Sequence, residues 1–494
     1  MKKKSGPPKG PLTIVFVVSE AVPFIKTGGL GDVGGALPAA LAEEGAKVHV
    51  FVPRYKGIGA AIPKGARPEA KVAVPMSTRL PEGEIYTLKK DGVDFHFVGN
   101  ENYFGRDHLY NTPEGDYLDN LERFAFFCRA ALEGVKALGI KPDIVHANDW
   151  QTALVPVYLK TIYMDDPVLG GVPGVYTIHN LGYQGLFNPR DWRHTGLDFR
   201  HYRNGEMEFY GGINLMKGGL VFADLITTVS PTYASEIKTR EHGWGLDGVL
   251  RKRADALCGV LNGIDTKVWN PAGDKLIPAN YTPAGLAGKK VCKEKLFEEL
   301  GQPPGNDPLI GVVSRLVEQK GMDLFAEVID SLLDDGMRVA MLGSGSPAFE
   351  ELFRELAARR PDRASVRIGY DEGLAHRIEA GSDIFLMPSR YEPCGLNQMY
   401  SLRYGAAPVV RATGGLNDTV SDYDPVTGAG NGFKFHEPSA HALYWKTSEA
   451  AAILRGKPDD WYRMVKRAMK EDYSWSKSAR TYLGVYKKLA WGKI

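Results

Sequence analysis

Nowhere in this 494-residue chain do some twenty apolar residues run together, so no segment reads as a membrane span. Cysteine is scarce as well. Cys128, Cys258, Cys292 and Cys394 stand far apart with no CxxC pair, which argues against a structural zinc or a dithiol redox site and suits a reducing compartment. Charge of one sign is missing: 61 Lys+Arg against 59 Asp+Glu leave a formal +2, so no basic field recruits nucleic acid. That balance fits a neutral or small anionic substrate. No secretion signal is expected either. Lys2, Lys3 and Lys4 precede the apolar run Leu12–Val18, but the run is short and Ser-Glu-Ala-Val-Pro follows it, with no small-x-small cleavage site. The better reading is a basic tail leading into a first buried strand. A hydrophobic fraction of 44% with 24% charged residues excludes a disordered chain.

What is abundant is glycine, 57 residues where a typical ~7% would give about 35. The excess lies in GG and GxG clusters beside apolar runs, which marks tight loops. Short β-branched runs at Leu12, Lys47, Val93, Asp143, Val172 and Asp224 read as strands. Helices are expected between them, at Val33–Ala46 and at Tyr117–Leu138, the latter with the apolar stripe Leu118, Leu121, Ala125, Cys128, Leu132, Val135 and Leu138. The alternation pauses over Asn262–Pro304 and resumes with PLIGVVS, MRVAMLG, SVRIGY, DIFLMPS and APVVRA, each followed or preceded by a helical stretch. Near-continuous apolar strands between helices imply parallel sheets covered on both faces. The expected architecture is α/β, with two doubly wound Rossmann-like domains facing across a cleft. The boundaries are 1–257, a linker at 258–269, 270–472, and a C-terminal helix over 473–494 packing back on the N-terminal domain.

The loops after these strands carry the chemistry. The first runs Lys26-Thr-Gly28-Gly29-Leu-Gly31-Asp32, whose amides and lysine suit a phosphate, with Asp32 able to cap the following helix. A plain turn with a solvated Lys26 explains it equally. It is not a GxGxxG dinucleotide fingerprint. His146-Ala-Asn148-Asp149-Trp150 and His179-Asn180-Leu-Gly-Tyr183-Gln184-Gly185 end two more strands. They suit sugar hydroxyls, or else a packed histidine and an N-cap at Asp149. In the second half, Arg315 and Lys320 lie five apart across a loop, where a guanidinium fork and an ammonium can meet one anion. Glu392 sits between two prolines in the strand-to-helix turn that continues Cys394-Gly395-Leu396. Thr413-Gly414-Gly415-Leu416 offers a helix start to phosphate. Together these loops point to a nucleotide diphosphate site.

The motifs KTGGLGD, HANDW, HNLGYQG, LNGID, RLVEQKG, EPCGLNQ and TGGLNDT, in this order and spacing, resemble the bacterial glycogen synthase and plant starch synthase family over nearly the whole chain. The resemblance implies the glycosyltransferase B fold and retaining transfer of glucose from ADP-glucose to an α-1,4-glucan, in the cytoplasm or, for a plant source, the plastid stroma. It implies that Lys26, Gly28 and Gly29 lie over the donor, that Arg315 and Lys320 bind its diphosphate, and that Glu392 and His179 contact the transferred glucose. Tyr370 would lie by the adenine, with Cys394, Gly395, Leu396, Thr413, Gly414 and Gly415 on the donor side. Asp32, Tyr117, Asp149, Asn180 and Tyr183 would face the glucan. No cofactor or metal is expected, and neither a nucleic acid nor a membrane partner. Two positions depart from the family pattern: Gln151 stands where bacterial relatives often have His, and Asn397 where Thr is common. The rival readings are a UDP-glucose transferase, a phosphorylase needing pyridoxal phosphate, and a glucan-binding relative without turnover. One Asp-x-Asp, Asp422-Tyr423-Asp424, has the form of a metal site, but its setting reads as a polar surface turn.

Overall fold

The computed structural model describes residues 10–63, 65–76 and 79–492; the lysine-rich start at Lys2, Lys3 and Lys4 lies outside the described residues. The chain divides into two units. One takes the residues up to Val229, Ala234–Val260 and those from Trp475 on; the other takes Ser230–Tyr233 and Leu261–Ser474. The first unit therefore runs to Val260, three residues past the boundary read from the sequence.

The first unit is built on nine strands: β1 (Thr13–Val17), β2 (Lys47–Pro53), β3 (Ala70–Ala73), β4 (Glu82–Lys90), β5 (Val93–Gly99), β6 (Ile144–Asn148), β7 (Gly174–Ile178), β8 (Leu225–Thr228) and β9 (Leu257–Gly259). They lie in the order β9-β8-β7-β6-β1-β2-β5-β4-β3. All pairs are parallel except β3·β4 and β4·β5. The central strands β1, β2 and β6 are apolar and buried almost throughout, as covered parallel strands must be. Strand β4, EGEIYTLKK, next to the edge strand β3, carries Glu and Lys and leaves one face partly open to water, which is why no apolar run announced it.

The helix expected from Tyr117 begins at Asn120 and ends at Ala137. Leu118, assigned to its apolar stripe, stands outside the helix and fully exposed. The helix buries even Arg123, whose guanidinium donates to Tyr103 O (2.8 Å), Asn120 Oδ1 (2.6 Å) and Leu109 O (3.0 Å). The C-terminal helix, Trp475–Trp491, belongs to this unit: Tyr486 OH meets His146 Nδ1 at 2.6 Å and Arg480 pairs with Glu44 at 2.8 Å.

The second unit holds six parallel strands, β10 (Leu309–Val313), β11 (Arg338–Gly343), β12 (Ala364–Ile368), β13 (Ile384–Met387), β14 (Ala407–Arg411) and β15 (Phe433–Phe435), in the order β12-β11-β10-β13-β14-β15. In the parallel part of each sheet the strand order reverses once, between β1 and β6 in the first and between β10 and β13 in the second. Connections diverge there to opposite faces and leave a crevice at the carboxyl ends, where ligands bind in doubly wound folds.

Buried histidines make this fold sensitive to acid. Burial pushes His96, His146 and His179 down to about 3 and lowers His49, which meets His96 at 3.0 Å. The folded rings hold fewer protons than the unfolded ones below pH ~6.5, so stability is complete above that pH and falls toward pH 3. Each such ring costs roughly 2 kcal/mol at pH 5. Asp149, pushed up to about 7 by burial, works in the opposite sense and offsets about one histidine. We expect Tm to fall between pH 7 and pH 5, and to fall less in His96→Gln. An equal Tm at both pH values would refute it.

Candidate active site

At the reversal point of the first sheet, the loop after β1 is organised by a carboxylate that sequence reading passed over. Glu20, 3% exposed, accepts from the Thr27 amide (2.5 Å), the Thr27 hydroxyl (2.6 Å) and Tyr110 OH (2.6 Å). Its only signal in sequence is an acid at the end of a buried strand. Glu20 holds the Lys26–Gly31 segment in place. Lys26, though exposed, pairs with Asp32 at 2.7 Å, and Gly28 is the N-cap of the helix Gly29–Glu43. Asp32 is thus the partner of Lys26 and not a cap.

The loops after β6 and β7 meet beside it. Asp149 occupies left-handed backbone (φ 56°), and its carboxylate accepts the His179 amide at 2.7 Å. It caps the β7 loop, not its own helix. His179 Nε2 lies 3.0 Å from Asn148 Oδ1, while Asn148 Nδ2 donates to Val17 O at 3.1 Å. With the amide so oriented, the imidazole proton resides on Nε2, and Nδ1 is left as an acceptor suited to a sugar hydroxyl. Burial keeps this ring neutral at physiological pH. His146, from the same motif, is wholly buried between Tyr486 OH and Thr177 Oγ1 (2.5 Å), so its role is structural. Asn180 Oδ1 accepts the Gly182 amide at 3.0 Å, and Tyr183 is 56% exposed. Tyr117 stacks under Arg106 and Arg123, at 4.6 and 4.8 Å.

At the reversal point of the second sheet, Lys320 Nζ meets Glu392 Oε2 at 2.5 Å, and Ser389 Oγ donates to the same oxygen at 3.0 Å. Glu392 is 6% exposed. Arg315, exposed on the same loop as Lys320, touches Gln319 Oε1 at 3.1 Å. Two glycines permit this. Gly321 has φ 69°, and a Cβ there would stand 2.1 Å from Pro388 O; Gly414 has φ 44°, and a Cβ would stand 1.9 Å from Glu392 O. The three strand-end loops are in backbone contact, and only glycine fits between them.

The Thr413–Leu416 turn, read from the sequence as a phosphate cradle, also packs on the glutamate segment. The Gly415 amide lies 3.2 Å from both Glu392 O and Pro393 O, and the Leu416 and Asn417 amides donate to Thr413 O. The turn holds the glutamate segment in position. Cys394 is buried, its thiol pushed up to about 12 by burial, and Gly395 turns the chain at φ 72° before Leu396. Asn397 Nδ2 donates to Val313 O at 2.6 Å, tying the helix after Glu392 to the end of β10. Tyr370 lies apart, after the edge strand β12, with its ring 84% exposed. Asp422 accepts from the Lys434 amide (2.8 Å) and Lys446 (3.3 Å), and Asp424 from the Val426 amide (2.8 Å) and the Thr427 hydroxyl (2.6 Å). The Asp-x-Asp is a surface turn whose carboxylates are already engaged.

Residues 13–252 match the family described as starch synthase catalytic domain, and residues 293–453 match glycosyl transferases group 1. A glycogen synthase of Anaeromyxobacter dehalogenans (strain 2CP-C) is 50% identical over 97% of this chain and 100% of its own length. The chain belongs to the glycogen and starch synthase family. Another member, the glycogen synthase of Koribacter versatilis, is 47% identical over 96% of this chain and 98% of its own. Among solved structures, the catalytic domain of starch synthase IV from Arabidopsis thaliana, bound to ADP and acarbose, superposes with a TM-score of 0.87 at 33% identity. It covers 97% of this chain and 100% of that one. The fold is accordingly glycosyltransferase B, and the protein is a glucosyltransferase of glucan synthesis. The first family segment contains the Lys26, Asp149 and His179 loops, and the second contains Arg315, Lys320, Glu392 and Gly414.

The glycine contacts give a test of how this synthase site is assembled. Gly321→Ala adds left-handed strain and a clash with a carbonyl, so stability should fall by about 2 kcal/mol or more. Activity should fall further than stability accounts for, because Lys320 moves with the loop. Denaturant unfolding and turnover of the purified variant check both; wild-type values would contradict the close approach.

Proposed function

We propose that the protein moves glucose from ADP-glucose to the non-reducing end of an α-1,4-glucan, with retention and without a metal ion. The observation that carries this reading is the Lys320–Glu392 pair at the reversal point of the second sheet, with Arg315 on the same loop. The Arabidopsis relative, bound to ADP and acarbose, supports a nucleotide and a glucan as ligands.

The chemistry follows from charge. The bond between C1 of glucose and the phosphate oxygen breaks, leaving positive character on C1 and negative charge on the diphosphate. The acceptor O4 bonds to C1 on the same face, and its proton passes to the departing phosphate oxygen. Arg315 and Lys320 neutralise the leaving group, each contributing about 2–4 kcal/mol toward the developing charge. The Glu392 carboxylate lies toward the sugar and stabilises positive charge there. Among the described residues the side-chain partners of Glu392 are Lys320 and Ser389, with no second carboxylate paired to it, so front-face attack is favoured. Neutral His179 offers Nδ1 to a hydroxyl in the first unit, where Asp149, Asn180 and Tyr183 are assigned to the glucan.

Glu392→Ala should lower kcat by about 10²–10³, with nucleotide affinity nearly kept. Lys320→Ala should be more damaging, because it removes a phosphate ligand and also strands a buried carboxylate, a loss of about 3–5 kcal/mol. Glucosyl transfer to maltooligosaccharides, measured with ADP-glucose and with UDP-glucose, tests the donor. Preference for UDP-glucose would overturn that part of the reading. Activity should survive excess EDTA, and Asp422→Ala with Asp424→Ala should be nearly silent. Loss on chelation with rescue by magnesium or manganese would refute the arginine–lysine assignment.

A further inference from the structure

Two surface turns in the first unit carry aromatic residues where backbone geometry disfavours them. The strands Glu208–Phe209 and Gly212–Asn214 are joined by Tyr210 and Gly211, at φ 49° and 80°. A second turn, Gly243–Leu246, is closed by a 2.7 Å bond from the Leu246 amide to Gly243 O and passes through Trp244 and Gly245, at φ 49° and 81°. Positive φ at both central residues is the geometry that favours Asn-Gly or Gly-Gly. A large side chain at the first position is strained there. Burial does not offset that strain: Tyr210 is 87% exposed and Trp244 50% exposed. Asparagine would serve either turn better.

The two turns are neighbours and are joined to the candidate site. A Cβ on Gly245 would lie 2.9 Å from Phe209 Cζ and 3.5 Å from Tyr210 Cε2, so the second turn rests against the ring of the first. Gln184 Nε2 donates to Trp244 O at 3.1 Å, and Asn214 Nδ2 donates to Gln184 Oε1 at 2.6 Å. One glutamine thus fixes both turns to the loop that begins at His179. Tyr183, 56% exposed, stands on that loop beside it.

We propose that Tyr183, Tyr210 and Trp244 form a platform that holds an α-1,4-glucan chain. Flat rings with polar edges match sugar residues, which present C–H faces between hydroxyl rims, and the rings are rigid enough to bind at small entropic cost. The patch continues from the loop assigned to the acceptor, so the chain that is extended is the occupant it favours. This inference rests on the glucan acceptor under Proposed function.

The geometry supplies variants that separate binding from folding. Tyr210→Asn and Trp244→Asn remove a ring but place a residue that tolerates left-handed backbone, so Tm should hold or rise. Affinity for glycogen, read by electrophoresis in glycogen-containing gels, should fall about tenfold in each, and KM for maltoheptaose should rise similarly. ADP affinity should stay unchanged, and Tyr210→Phe should keep wild-type behaviour. Glucan affinity within twofold of wild type in both asparagine variants would overturn the platform. So would a loss matched by falling Tm or ADP affinity, or a change of oligomeric state with glucan affinity intact. A wild-type protein that neither binds glucan nor uses ADP-glucose would instead refute the function on which the platform rests.

Discussion

A parallel sheet whose strand order reverses cannot close its carboxyl edge at the point of reversal, because the chain leaves the two adjacent strands toward opposite faces. Both units are built around that constraint. Between β1 and β6 it brings the Lys26 loop beside Asn148 and Asp149; between β10 and β13 it brings Lys320 beside Glu392. Every charged group assigned to chemistry sits on a loop leaving one of these strands or its immediate neighbour. The sheets therefore determine where the site is, and the loops determine what it does.

Within each crevice the main expense is a buried carboxylate. Glu20 is satisfied by three donors from Thr27 and Tyr110, and Glu392 by Lys320 and Ser389. Such groups are tolerated only when paired and hydrogen-bonded, and the pairing in turn orders the loop that supplies it. Glu20 thereby shapes the Lys26 segment without being part of any recognisable motif. Glu392 combines both, being the anion assigned to the transferred sugar and a link between two loops. The Lys320 ammonium that neutralises it is the same group assigned to the departing diphosphate, so the free site holds its cation in position before substrate arrives.

Much of this was legible in the residues. Apolar runs such as TIVFV and KVHVFVP announced their strands, because a strand covered on both faces can hold little else. Strand β4 was not legible, since an antiparallel strand with one face half open to water has no need of a continuous apolar run. Spacing placed Arg315, Lys320 and Glu392 at strand ends, and the motif order named the family. Spacing pointed to a phosphate at the amides after Thr413, but it gave no sign of the bonds that the Gly415, Leu416 and Asn417 amides make to Glu392, Pro393 and Thr413.

The sequence by itself determined the alternation of elements, the loops that carry charge, and the family, since each is written in consecutive residues. Only the tertiary structure decided the partners. It turned Asp32 from a cap into the partner of Lys26, set Asp149 under the β7 loop, and assigned the His179 proton to Nε2. It also showed Tyr210 and Trp244, 34 residues apart, as neighbours on strained turns. The reason is physical. Polarity and periodicity are local properties of the chain, but a hydrogen bond or an ion pair depends on atoms brought within about 3 Å by the packing of distant segments.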